Sequence, residues 1–201
     1  MNSPTKSLWR VGVLSVSLGL LLSTGAAEAQ QDRVHSARQT VEQADEAWDR
    51  GEYALALRLF GNAYLRVQAP TIAVRQAECL EKLGRLVRAL EVYDSVGQWR
   101  LDSSSPEPFR RAVATALERA ILLRGRVPSL RVTFYGEDVD GADVMVDGKP
   151  IAKELYRDGF LVDPGEHTIK VVKGNRWGAT RLRTAEGARV HAYVFLPGKS
   201  S

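Results

Sequence analysis

Gly51-Glu-Tyr-Ala-Leu-Ala56-Leu57-Arg-Leu-Phe60 and Gly84-Arg-Leu-Val-Arg-Ala89-Leu90-Glu-Val-Tyr93 are one line written twice, the second copy starting 33 residues after the first. Glycine recurs as glycine, alanine as alanine, Leu57 as Leu90 and Phe60 as Tyr93; ahead of each copy, Ala44 and Ala77 hold the same register. A fixed period of this length marks stacked helical hairpins. Glycine permits the tight turn between antiparallel helices. The alanine lets paired helices approach closely, and the aromatic ring fills the space beside it.

Outward from this pair, helical spacing continues on both sides. Val34, Val41, Ala44, Ala47 and Trp48 predict a first helix from about Arg33 to Arg50, opened by a capping box at Ser36-Ala-Arg-Gln39. Ala54, Leu57, Phe60 and Tyr64 line one face of a second helix, which Gln68-Ala-Pro70 ends. Thr71 is placed to cap a third helix carrying Ala73, Ala77, Leu80 and Leu83, and after Gly84 a fourth runs to about Val96. Ser103-Ser-Ser-Pro106-Glu-Pro108 is rich in breakers. The stripe Phe109, Val113, Ala116, Leu117, Ala120 and Ile121 then predicts a fifth helix over 107–124, covering the open end of the stack.

At Gly125-Arg-Val-Pro128 the period changes from helical to alternating. Leu130, Val132 and Phe134 alternate with polar neighbours, and Asp143-Val-Met-Val-Asp147 runs into Asp147-Gly148, a hairpin turn signal. Segments at 159–162, 167–172, 178–183 and 189–196 follow, with turns at Lys173-Gly-Asn175 and Glu186-Gly187. No helix-length pattern remains in this half. Short strands separated by turns imply a small all-β antiparallel sandwich. The fold class read from the chain is therefore α+β, with an antiparallel helical-repeat domain of about five helices over 30–127 and a β-sandwich over 128–198.

The first 29 residues read as a signal peptide. Lys6 and Arg10 supply the positive end, Val11 to Leu22 the apolar stretch, and Ala27-Glu-Ala29 the small-x-small cleavage site, which starts the mature chain at Gln30. The apolar stretch is shorter than the roughly 20 residues of a membrane span. A retained N-terminal anchor is the alternative. Export to the bacterial periplasm or cell surface follows, with no stable membrane span after cleavage. Cys79 is the only cysteine, so no intramolecular disulfide forms, and its place in the third helix makes it a small buried hydrophobe. The net charge of +4 is dispersed among acids with no basic stripe, which argues against nucleic acid.

Gly51, Ala56, Phe60 and Ala63, then Gly84, Ala89, Tyr93 and Val96, resemble the tetratricopeptide repeat over residues 37 to 98. The departures are Val96 for alanine, the missing Leu-Gly pair in the first helix of each unit, and the late Pro70. Val144-Met-Val-Asp147-Gly148-Lys-Pro150, Val162-Asp-Pro164-Gly165-Glu166-His167 and Glu186-Gly187 resemble the PEGA domain over residues 129 to 196. That family strings together an Asp-Gly turn, a Pro-Gly-x-His turn and a closing strand; here Ala152-Lys-Glu-Leu-Tyr156 stands where it usually carries Thr-Pro. Pro164 presets φ and Gly165 takes the reversal before His167 enters the next strand.

No catalytic constellation is present. There is no nucleophile elbow and no phosphate-cradling loop. His35, His167 and His191 lack ligand spacing, so no metal is assigned. Asp138, Asp140 and Asp143 with Gly141 read as a solvated acidic hairpin, and no cofactor is implied. The tetratricopeptide resemblance implies a protein or peptide partner held against the first helix of each unit, at Arg38, Asp45, Asp49, Glu78, Glu81 and Lys82. That mixed, mostly acidic lining favours a basic partner segment. Trp177, beside Arg176 in a stretch read as an exposed turn, is a further contact candidate, for a partner or for cell-wall glycan bound by the sandwich. The function read from the chain is a non-enzymatic envelope adaptor, with glycan or surface-polysaccharide binding as the alternative.

Overall fold

The computed structural model describes residues 17–198. Lys6, Arg10 and the start of the apolar stretch lie outside the described residues. Five helices come first: α1 (Ser17–Asp49), α2 (Tyr53–Arg66), α3 (Pro70–Lys82), α4 (Leu86–Gly97) and α5 (Glu107–Arg124). The doubled line folds the same way twice. Gly51 and Gly84 have φ of 75° and 71°. Each turn is closed by the same bonds: Gly51 N–H to Trp48 and Glu52 N–H to Ala47, then Gly84 N–H to Glu81 and Arg85 N–H to Leu80. This is the Schellman closure that a left-handed glycine allows. A residue with a side chain would be strained at either turn.

The alanines do what their size permits. Ala44, Ala47, Ala56, Ala63, Ala77 and Ala89 are completely buried, and Phe60 and Tyr93 fill the space between the helices they separate. Phe60 anchors the α1–α2 layer, and Tyr93 anchors the layer of α3, α4 and α5. α5 closes the end of the stack through Ala112, Ala116, Ala120 and Leu123.

Two details differ from expectation. α1 begins well before Arg33 and runs unbroken through Ala27–Ala29, because that stretch is rich in helix formers and holds no proline. Ser36 and Gln39 therefore lie inside the helix, where Gln39 bonds His35 and Thr40 bonds the Ser36 carbonyl, and they cap nothing. Pro70 is the first residue of α3, where its missing N–H costs no helical bond, with Ala69 and not Thr71 at the cap position.

The second half contains β1 (Ser129–Gly136), β2 (Asp143–Val146), β3 (Lys149–Ile151), α6 (Lys153–Asp158), β4 (Phe160–Leu161), β5 (Gly165–Lys173), β6 (Arg176–Thr184) and β7 (Arg189–Leu196). They form two sheets, β4-β1-β7 and β3-β2-β5-β6. Leu130, Val132, Val144, Ile169, Val171, Val194 and Leu196 fill the space between them. Asp147 and Gly148 make the expected hairpin turn, with φ of 50° and 78°. Two features correct the reading of a purely antiparallel, helix-free sandwich. β1 and β7, the first and last strands, pair in parallel along their whole length. Lys153–Asp158 is a short helix, whose Tyr156 is buried against Phe134 with ring centroids 5.6 Å apart.

The sheets meet where β6 passes β7. A Cβ on Gly178 would overlap the Phe195 carbonyl oxygen, so the backbones touch there and only glycine fits. Gly178→Ala is expected to destabilise the protein by about 3 kcal/mol or more, the upper end for overpacking. Urea unfolding followed by circular dichroism measures this; a loss below about 1 kcal/mol would mean that the strands separate easily.

Candidate functional site

A groove of about 410 Å³ opens between α1, α3 and α5, lined by Trp48, Arg75, Glu78, Glu81, Lys82, Arg119 and Arg126. Its floor is Arg75. The guanidinium donates to Asp45 at 2.8 Å and to Glu78 at 2.7 Å, and lies over the rings of Trp48 and Phe60, 4.5 and 5.2 Å from their centroids. The planar ion is held on its edges by carboxylates and on its faces by aromatics.

The far wall is built by the second copy of the repeat. Tyr93 stands where the first copy has Phe60, and its hydroxyl donates to Glu81 Oε1 at 2.8 Å. Burial, and then the Glu81 carboxylate, push the phenol far above its ordinary value, so it remains a donor. Glu81, its side chain only 13% exposed, accepts from Arg126 at 2.9 Å through its other oxygen. Arg126 also grips Glu186, in the β6–β7 turn, at 2.8 and 3.1 Å. The groove thus ends at the junction of the two modules.

A second clamp lies across this junction. α4 has no side-chain cap of its own. Asp163, from the loop before β5, accepts the Val87 N–H at 2.8 Å and supplies the missing acceptor from the other module. The Asp163 carbonyl is fixed in turn by Thr184 Oγ1 at 2.9 Å and by His167 Nε2 at 2.7 Å. His167 Nδ1 faces Asp147 Oδ2 at 2.7 Å. Both ring nitrogens meet acceptors, so the imidazole must carry both protons. Burial opposes that charge, but the bonds to Asp147 and Asp163 outweigh it and raise the histidine above its ordinary 6.5. Asp147 is correspondingly lowered despite its own partial burial.

The structure brings Glu78, Glu81 and Lys82 together and ties Asp45 to them through Arg75. Arg38 and Asp49 are exposed on α1 away from the groove lining. Trp177 lies in β6 and not in a turn; it is 58% exposed on the outer sheet face, with the Lys170 ammonium 5.0 Å from its ring centroid. Sequence reasoning missed Trp48, Arg75, Arg119 and Arg126. Trp48 reads as core in a helical stripe and Arg126 as linker, and only the packing of three helices turns them into one surface.

The charge of the groove differs from the expected, mostly acidic lining. Four cations line the groove against two carboxylates. The carboxylates, with Asp45, are already engaged by Arg75 and Arg126. Lys82 and Arg119 join no ion pair among the described residues. The unanswered charge is positive. The acids around Asp138 are not a free cluster either: Asp138 bonds Lys173 at 2.7 Å and Arg176 at 3.4 Å, tying the β1–β2 loop to the β5–β6 hairpin. Buried Cys79 behaves as the small hydrophobe expected, its thiol pushed by burial up to about 11.

No protein-family model matches the chain, and the comparison with curated proteins gives no match either. Among the described residues no helix is long and apolar enough to cross a membrane.

The His167 geometry makes a signed prediction. The folded chain holds the proton more tightly than the unfolded one, so this stabilisation is complete below about pH 6.5 and is lost as pH rises through the raised value. Unfolding free energy is expected to decline as pH rises above about 6.5 in the native chain, and to decline less in His167→Gln. Parallel pH profiles would exclude the imidazolium.

Proposed function

We propose that the chain is a non-enzymatic adaptor of the bacterial cell envelope, exported by its N-terminal segment. A tetratricopeptide-like helical unit holds a protein partner, and a PEGA-like sandwich follows it as a second module. The observation that carries the reading is the groove: two unpaired cations, Lys82 and Arg119, beside an arginine locked between Trp48 and Phe60. Arg75, Glu78 and Glu81 are already held by partners within the protein, so the rest of the groove is pre-organised and little ordering opposes binding. The occupant that suits it is an extended acidic segment of another protein, with an apolar side chain against the Trp48 ring.

Fluorescence anisotropy with a labelled glutamate-rich twelve-residue peptide tests this. The peptide is expected to bind with an affinity that falls with salt, and a lysine-rich peptide of equal length is not. Lys82→Glu with Arg119→Glu is expected to weaken binding about tenfold or more, or about 1.4 kcal/mol. Unchanged affinity in that double variant would remove the groove from the account.

A second reading, binding of cell-wall glycan or surface polysaccharide, is favoured by the outer face of the β4-β1-β7 sheet. Tyr135, Tyr193 and Phe195 are each more than half exposed there. His191 stacks on Tyr193 with centroids 4.4 Å apart and bonds Thr133 at 2.8 Å, so rings alternate with hydrogen-bonding groups, as sugar stacking requires. Co-sedimentation of the full chain with cell-wall material, lost in Tyr193→Ala with Phe195→Ala, would support it; a chain that stays wholly in solution would refute it.

A further inference from the structure

The outer face of the β4-β1-β7 sheet is a grid. β1 and β7 pair in parallel and in register, so their outward side chains stand side by side in levels. Arg189 lies beside Ser129, then Arg131 beside His191, Thr133 beside Tyr193, and Tyr135 beside Phe195. All of these but Ser129 are exposed, while the alternating Leu130, Val132, Ala192 and Val194 are buried against the other sheet. The grid has two ends: cations occupy the start of the strands and aromatic rings the finish. From Arg131 to Tyr135 is four strand residues, or about 13 Å.

The middle of the grid answers itself. His191 bonds the Thr133 hydroxyl through Nε2 at 2.8 Å and the Tyr193 hydroxyl through Nδ1 at 3.2 Å, and its ring stacks on Tyr193. Tyr135 and Phe195 meet at the far end, with centroids 5.5 Å apart. What is left over is the charge. Neither Arg131 nor Arg189 joins an ion pair among the described residues. Asp158 offers Arg131 only its backbone carbonyl, at 3.5 Å. The outward positions of β1 and β7 hold no carboxylate, and the first acid along β1 is Glu137, beyond the aromatic end.

A neutral sugar uses the exposed rings but leaves both guanidinium groups unanswered. A carboxylated sugar gives each of them a two-point acceptor. We propose that the ligand of this face is an acidic polysaccharide built of uronic acids. Its carboxylates sit on Arg131 and Arg189, and its pyranose faces on Tyr135, Tyr193 and Phe195. The proposal rests on the glycan reading of this face and narrows it. Each uronic acid unit brings a ring and a carboxylate together, so one chain serves both ends of the grid. A phospholipid surface or a glycerol-phosphate polymer brings charge without a ring to stack. Because the two ends lie about 13 Å apart, several linked units bind where a single unit does not.

Calorimetric titration of the full chain with a hexamer of linked galacturonic acid tests this. The comparisons are the same hexamer as its methyl ester, galacturonic acid itself, and phosphatidylglycerol vesicles. The acid hexamer is expected to bind with an affinity that falls with salt, and the ester and the single sugar to bind about tenfold more weakly or worse. Arg131→Gln with Arg189→Gln, both exposed, is expected to weaken the acid hexamer about tenfold while leaving the ester and the melting temperature unchanged. Tyr193→Ala with Phe195→Ala weakens both hexamers. Lys82→Glu with Arg119→Glu leaves the acid hexamer bound as in the native chain, which separates this face from the helical groove. Equal binding of acid and ester, lost in the ring variant, would overturn the acidic assignment and leave the glycan reading standing. No binding of either hexamer would overturn the proposal, and co-sedimentation with cell-wall material then decides the glycan reading on its own. Loss of binding in the groove variant, or a preference for the vesicles, would overturn it as well.

Discussion

Arg126 holds two carboxylates that belong to different halves of the molecule, and the arrangement of those halves turns on it. Glu81 comes from α3 and Glu186 from the β6–β7 turn, and the linker between the modules is only residues 125–128. The same residue's carbonyl accepts the Gly187 N–H, and Ser129 then bonds Ala188, so the chain leaves the helices already aligned as the first residue of a strand. The ion pairs are too exposed at Arg126 and Glu186 to supply much energy by themselves. Their value is geometric: they fix a half-buried glutamate and the end of a groove. Asp163 adds a second tie at the start of α4, and two ties at separate points leave little freedom for hinge motion between the modules.

The divergence of the two repeat copies explains why the groove is asymmetric. Phe60 offers a ring face to Arg75, while Tyr93, at the matching position, offers a hydroxyl to Glu81. One copy thereby holds a cation and the other holds an anion. The partners they hold, Arg75 and Glu81, lie on the same helix, so a single surface carries both results. The charges that remain unanswered, on Lys82 and Arg119, come from α3 and α5 and owe their position to α5 closing the stack.

Much of the helical half was legible in the sequence because its signals are local. Gly51 and Gly84 mark turns, the alanines mark close contacts, and the fifth helix lies at 107–124 as its stripe requires. What was not legible is non-local or too short. The parallel pairing of β1 with β7 joins the ends of the module, and no spacing within either strand encodes it. α6 spans six residues, less than two turns, so its periodicity cannot be seen. Asp45 and Glu78 read as an acidic lining because the arginine that engages them, Arg75, approaches Asp45 from a residue thirty positions away in the chain. Charge in a sequence counts residues; charge on a surface counts what its neighbours have left over.

Cys79 gives the molecule a built-in clock. It is the only thiol in the chain, completely buried in the layer between α1, α2 and α3, and burial keeps it protonated at neutral pH. A thiol reagent can reach it only when the helices part, so its rate of modification times the opening of the helical half and is blind to the strands. The helical half, although tied to the strands by Arg126 and Asp163, can therefore be timed on its own in an unlabelled protein, without adding a probe that would disturb it.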